Sequence, residues 1–218
     1  MPNWCHNTMD IYGDYEEIKR FTLACKTEET NESGKSLSLN QLFPIPDELV
    51  NTVAGWFGEG TPEHEELKIK QKANIEKYGV KDWYDWALAN YGSKWGANNF
   101  EFEEDDLSPG DTYLSATYDS AWSPADGLIR KISELFPGLT FAVLSTEESD
   151  AFICYSIFRN GQLMAEDGET PEIPAEIVKL NETDTDLFYE KLMDWQTEYF
   201  DLWNEKVTSR AKQVLSSK

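Results

Sequence analysis

From Trp4 to Tyr12 the side chains alternate, with Cys5, Met9 and Ile11 on one face and Trp4, His6, Thr8 and Tyr12 on the other. That period of two is the signature of a strand with two different faces. Gly13 ends it, and Asp14 with Glu17 three residues on is a capping-box variant that opens a helix at once. Ile18, Phe21, Ala24 and Cys25 then repeat at helical spacing, which predicts a helix over 15–26. An amphipathic helix directly after a strand suits a fold with helices packed against a sheet. Further strands are predicted over 98–103 and 112–118. A second helix starts at Ser123-Pro124, with Asp126 in its third position and Leu128, Ile129, Ile132 and Leu135 on one face, and stops at Pro137-Gly138. Strands over 139–144 and 151–158 follow, and Asn160-Gly161 reads as a hairpin turn into 162–164. This order predicts an α+β fold, a ferredoxin-like antiparallel sheet with helices packed on it.

The remaining segments attach to that frame. Residues 27–35 are polar and read as a loop, 36–43 as a short strand, and Pro44-Ile45-Pro46 breaks regular structure. Residues 47–92 read as a helical insertion. Thr61-Pro62 starts a helix that Gly79 ends, over 62–78, and a second runs over about 81–90 with Trp83, Tyr84, Trp86 and Ala87. Glu104-Asp105-Asp106 forms an acidic turn. Strand 151–158 has large apolar residues at both parities, which a strand covered on both faces would show. The ferredoxin-like domain thus spans 1–167. Over 168–218, Pro171 and Pro174 mark a linker before one long amphipathic helix over about 183–214.

Several short stretches occur in a fixed order: Met1-Pro2-Asn3-Trp4-Cys5-x-Asn7, Gly13-Asp14, Phe43-Pro44-Ile45-Pro46, Tyr91-Gly92-x-Lys94-Trp95-Gly96, Ala121-Trp122-Ser123-Pro124 and Phe136-Pro137. In this the chain resembles, over about residues 1–165, a phage- and plasmid-borne domain family of unknown function described as ferredoxin-like. The resemblance implies that fold and a mobile-element origin, and it implies no catalytic residues.

Composition excludes several functions. There are 41 Asp and Glu against 19 Lys and Arg, a formal net charge of −22. Such a surface repels phosphates and argues against direct nucleic-acid binding. Yet 8 Trp, 10 Tyr and 11 Phe supply ample core, so the acidity does not mean disorder. No apolar run approaches the ~20 residues that span a bilayer, and no secretory signal is legible at the start, so a cytoplasmic protein is expected. Three cysteines, Cys5, Cys25 and Cys154, make no even framework and read as reduced thiols. With only His6 and His64, and with Cys5 and His6 pointing to opposite faces of one strand, neither a metal nor a cofactor is expected. No nucleophile elbow, phosphate-binding glycine loop or zinc-protease motif occurs.

Two groups remain as candidate sites. Trp95, Lys94, Trp122, Ser123 and Asp119 fall at loops flanking strands. They read either as a pocket with aromatic walls or as core tryptophans beside a helix-capping Ser123. In the C-terminal helix, Glu182, Asp186, Glu190, Asp194 and Glu198 follow one another at i+4, with Asp201 and Glu205 extending that side. Phe188, Leu192, Trp195, Tyr199, Leu202 and Trp203 gather on the other. The acids are a solvated face whose charge, with Lys206, Arg210, Lys212 and Lys218 at the end, complements the helix dipole, or they are a track of carboxylates every ~6 Å that imitates phosphates. Between Glu147 and Glu205 stand 16 acids and three bases, a net of −13. The expectation is a non-enzymatic protein whose acidic surface binds a basic host protein, such as a nuclease or another nucleic-acid-binding defence factor. A ligand pocket or enzyme at Trp95/Trp122 is the alternative, and a second copy of the chain is a third partner to consider for the apolar helix face.

Overall fold

The computed structural model describes residues 2–30, 34, 36–52, 60–103 and 107–217. The acidic turn at 104–106, four residues of the 27–35 loop and the terminal Lys218 lie outside them. Six strands, β1 (Trp4–Tyr12), β2 (Asn98–Phe102), β3 (Tyr113–Ala121), β4 (Thr140–Glu147), β5 (Ile153–Arg159) and β6 (Gln162–Glu169), form an antiparallel sheet in the order β2-β3-β1-β4-β5-β6. Alternating β1 sits at the centre, with Trp4 opposite Ala121 on β3 and Thr8 opposite both Thr117 and Leu144. Helix α1 (Tyr15–Ala24) follows β1, and a second helix, Asp126–Leu135, follows β3 on the same face. This arrangement over β2-β3-β1-β4 is the ferredoxin-like fold, and β5 and β6 extend the sheet beyond β4.

The local signals explain the helices. Asp14 Oδ1 accepts the Glu17 amide at 3.0 Å and starts α1, which turns Ile18 and Phe21 into the core against Phe136 and Phe141. In the insertion come α2 (Asp47–Val50), α3 (Pro62–Tyr78) and α4 (Trp83–Tyr91). The Thr61 hydroxyl accepts the His64 amide, and Gly79 closes α3 with φ +76°. Helix α4 is capped by Asp82 and sends Trp86, Ala87 and Tyr91 into the main core, so this part of the insertion is packing. It approaches Asp126–Leu135, henceforth α5, so closely that a Cβ on Gly127 would stand 2.4 Å from the Asn90 carbonyl oxygen.

Four predicted elements differ. Residues 36–43 form an isolated bridge from Leu37 to Lys26 and a short 3-10 turn, Asn40–Leu42, instead of a strand. The Asn40 side chain bonds the Trp95 and Ala97 carbonyls and the Ala97 amide at 3.0 to 3.1 Å, which turns the chain away from a ladder. Helix α5 begins at Asp126, not beside Ser123, because the Ser123 hydroxyl is committed to the Gly92 carbonyl at 2.6 Å. Strand β6 runs on to Glu169. The long helix expected over 183–214 is α7 (Thr185–Ser216), and the stretch before it that reads as linker holds a further helix, α6 (Ala175–Thr183). Asp184, extended at φ −154°, breaks them apart and its carboxylate accepts the Leu187 amide to start α7.

The second face of the sheet is covered in part. Trp203, Val207, Ala211 and Val214 of α7 pack on Ala142, Leu144, Ile153, Tyr155 and Ile157, forming a core separate from the one beneath α1 and α5. Strand β5 is therefore buried on both sides, as its two-parity pattern requires. No helix of the described residues is long and apolar enough to cross a membrane.

Candidate functional site: an acidic helix face and an aromatic cluster

The seven acids of the predicted row are all exposed, with Glu182 on α6 and the other six on α7. The break at Asp184 therefore divides the row after its first member. Asp201 and Glu205 lie two residues either side of buried Trp203, about 200° round the helix, so the acidic stripe points away from the sheet. Phe188, Leu192, Trp195 and Tyr199 are half-buried, whereas Leu202 is 60% exposed despite its apolar assignment. One residue from Trp203 is a rotation of about 100°, which carries Leu202 out of the buried stripe.

Few cations neutralise this face. Lys191 pairs with Glu190 at 3.2 Å and with Asp194 at 3.0 Å; Asp186, Glu198, Asp201 and Glu205 have no ion pair among the described residues. Lys206 is drawn inward, 3.9 Å from the Trp203 ring centroid and 2.8 Å from Asp167, whose carboxyl it holds below the ordinary range. The last turn of α7 carries no basic residue among the described ones. Edge strand β6 adds exposed Glu166, Asp167 and Glu169 beside the helix.

The aromatic candidates assemble at the other side of the β1 start. Trp95 stacks on Trp122 with centroids 6.3 Å apart and planes 22° from parallel, and Trp4 lies 6.0 Å beyond Trp95. The Lys94 ammonium stands 4.2 Å from the Trp95 centroid, 5.5 Å from Trp122 and 5.9 Å from Tyr84. Trp122 is 47% exposed, so it does not fill the core, and Ser123 beside it caps no helix. Its φ of +65° is a left-handed conformation that costs a bulky residue ~1–3 kcal/mol. The Trp122 amide bonds the Asn3 carbonyl at 2.9 Å, which helps fix that geometry.

Asp119 does not join the cluster. Its Oδ1 lies 2.8 Å from His6 Nδ1, and its Oδ2 accepts the Asn99 side-chain amide at 3.0 Å. His6 had no assigned role in the sequence, because its pairing opposite Asp119 depends on the β1–β3 register. The thiols offer no ready nucleophile: burial first, then nearby acids, pushes Cys5 and Cys154 up to about 12, and burial raises Cys25 as well. Among the described residues no three His, Cys, Asp or Glu side chains are grouped to hold a metal ion.

Residues 90–185 match the family model described as the ferredoxin-like domain in Api92-like protein, a stretch that runs from the end of α4 through α6 to the first residue of α7. No curated protein matches the chain. Among solved structures, the crystal structure of a protein api92 from Yersinia pseudotuberculosis is similar, at 12% identity and a TM-score of 0.46, covering 80% of this chain and 100% of that one.

Proposed function

We propose that this chain is a non-enzymatic interaction protein of a phage or other mobile element, working in the host cytoplasm. Its acidic surface binds and inhibits a basic host protein, in the first instance a nuclease or other nucleic-acid-binding defence factor. The observation that carries this reading is the exposed row Asp186, Glu190, Asp194, Glu198, Asp201 and Glu205, set opposite the stripe that anchors α7 to the sheet. All six face solvent and four of them, Asp186, Glu198, Asp201 and Glu205, have no ion pair among the described residues, which leaves them available to a partner, and like charges at i+4 are a cost that folding alone does not require. Carboxylates every ~6 Å along a rigid helix suit a groove that otherwise tracks phosphates, and the concentrated field speeds encounter with a positive surface.

The test is capture of partners on immobilised protein, identification of what binds, and titration of the purified partner. Binding should weaken steeply with salt, compete with DNA, and be lost in the triple variant Glu190→Lys, Asp194→Lys, Glu198→Lys. Undiminished affinity of that folded variant refutes the proposal. A second reading, a peptide- or small-molecule-binding face or enzyme at Trp95 and Trp122, is favoured by the exposed and strained Trp122. Indole N–H resonances of these residues that stay fixed across peptide and fragment screens would remove it.

A further inference from the structure

Between α7 and the end of the sheet lies a cleft of about 370 Å³, at the lower end of the ~300–1,000 Å³ usual for ligand sites. Its apolar walls include Phe152, Ile153, Phe200 and the ring pair Trp195–Tyr199, stacked with centroids 5.1 Å apart and planes 24° from parallel. Three carboxylates, Glu147, Glu148 and Asp150, also line it; among the described residues no lysine or arginine does, and His6, also in the lining, lies 2.8 Å from Asp119. Glu147 is 4% exposed, and its Oε1 is shut from solvent without a hydrogen-bond partner among the described residues. The Ser149 and Ala151 amides on its other oxygen, at 2.8 and 3.2 Å, hold the carboxylate in place.

We propose that this cleft is the anchor pocket of the acidic surface and receives an arginine side chain of the bound partner. This rests on the reading that the acidic face docks a basic protein. Aromatic faces beside carboxylates match a guanidinium better than an ammonium, because the planar group both stacks on a ring and forks onto carboxylate oxygens. Position agrees at one edge of the row: Trp195, on the cleft side of α7, is three residues from Glu198 and about 60° round the helix from it, so a chain that crosses from the acidic face toward the sheet meets the cleft wall. Most interfaces draw their affinity from a few buried anchors while surrounding charges set rate and salt response.

The experiment uses the full chain, with hexa-arginine and hexa-lysine peptides as probes in calorimetric titrations. The expected result is about tenfold tighter binding of the arginine peptide. Trp195→Ala should erase that preference while leaving the lysine peptide's affinity and salt response unchanged. Asp150→Asn, which keeps an oxygen for the 2.8 Å bond from Gln196, should weaken the arginine peptide severalfold without disturbing the fold. Equal binding of the two peptides, untouched by either substitution but lost on charge reversal at Glu190, Asp194 and Glu198, overturns the pocket and leaves the acidic-surface reading standing. No binding of either peptide overturns both.

Discussion

Replacing Trp203 by Ala should release α7 from the sheet without unfolding the domain beneath it. Trp203 is 3% exposed, lies 6.1 Å from the Tyr155 ring and carries Lys206 over its own face. Truncating a buried Trp costs ~3–5 kcal/mol, and the small outer core of Val207, Ala211 and Val214 against β4 and β5 offers little to refill the space. Since that core is separate from the one beneath α1 and α5, the loss should fall on local opening of α7. At ~1.4 kcal/mol per decade, amide exchange across 199–214 should accelerate about a hundredfold to a few thousandfold. Hydrogen exchange read by mass spectrometry measures this, with amides of β1 and β3 as the internal control. Acceleration below tenfold in α7, or an equal rise in β1 and β3, refutes the idea that the two cores are energetically distinct. The outcome bears on function because the acidic row keeps its position only while α7 is docked.

Asp184→Ala removes the cap on the Leu187 amide and should lower stability by ~1 kcal/mol, seen as a lower urea midpoint and early fraying of the first turn of α7. Asp126 is held above the usual carboxylate range chiefly by burial, against the 3.0 Å bond from Ser156, and its Oδ1 has no partner among the described residues. A folded-state pKa raised in this way gives stability that is present at low pH and lost as pH rises through it. Asp126→Asn should therefore gain on the parent between acid and neutral pH, and urea midpoints with a constant difference would contradict this. Trp122→Gly should change stability by less than ~1 kcal/mol, because relief of the left-handed backbone offsets lost stacking on Trp95. A loss of several kcal/mol in thermal melts would show that Trp122 is structural.

The elements that the sequence announced are those whose causes are local. Alternation set β1, the Asp14 and Thr61 caps set the starts of α1 and α3, and Asn160-Gly161, both with positive φ, turned β5 into β6. Each depends on side chains within a few residues, so the chain itself carries the instruction. The acidic row is legible for the same reason, since a helix fixes which residues share a face. Where a hydrogen bond came from far along the chain the local reading failed. Gly92 claimed the hydroxyl of Ser123, 31 residues away, and Asn40 bound a loop 55 to 57 residues away.

Sequence alone thus determined an α+β chain with an acidic helical row near its end. Tertiary structure decided that α7 docks on the open face through Trp203, that Trp122 stays in solvent, and that His6 meets Asp119. It also placed Trp195 and Tyr199 across a cleft from Glu147 and Asp150, on elements about 45 residues apart. Those choices depend on register between strands and on the direction in which a helix returns to a sheet, which no local pattern encodes.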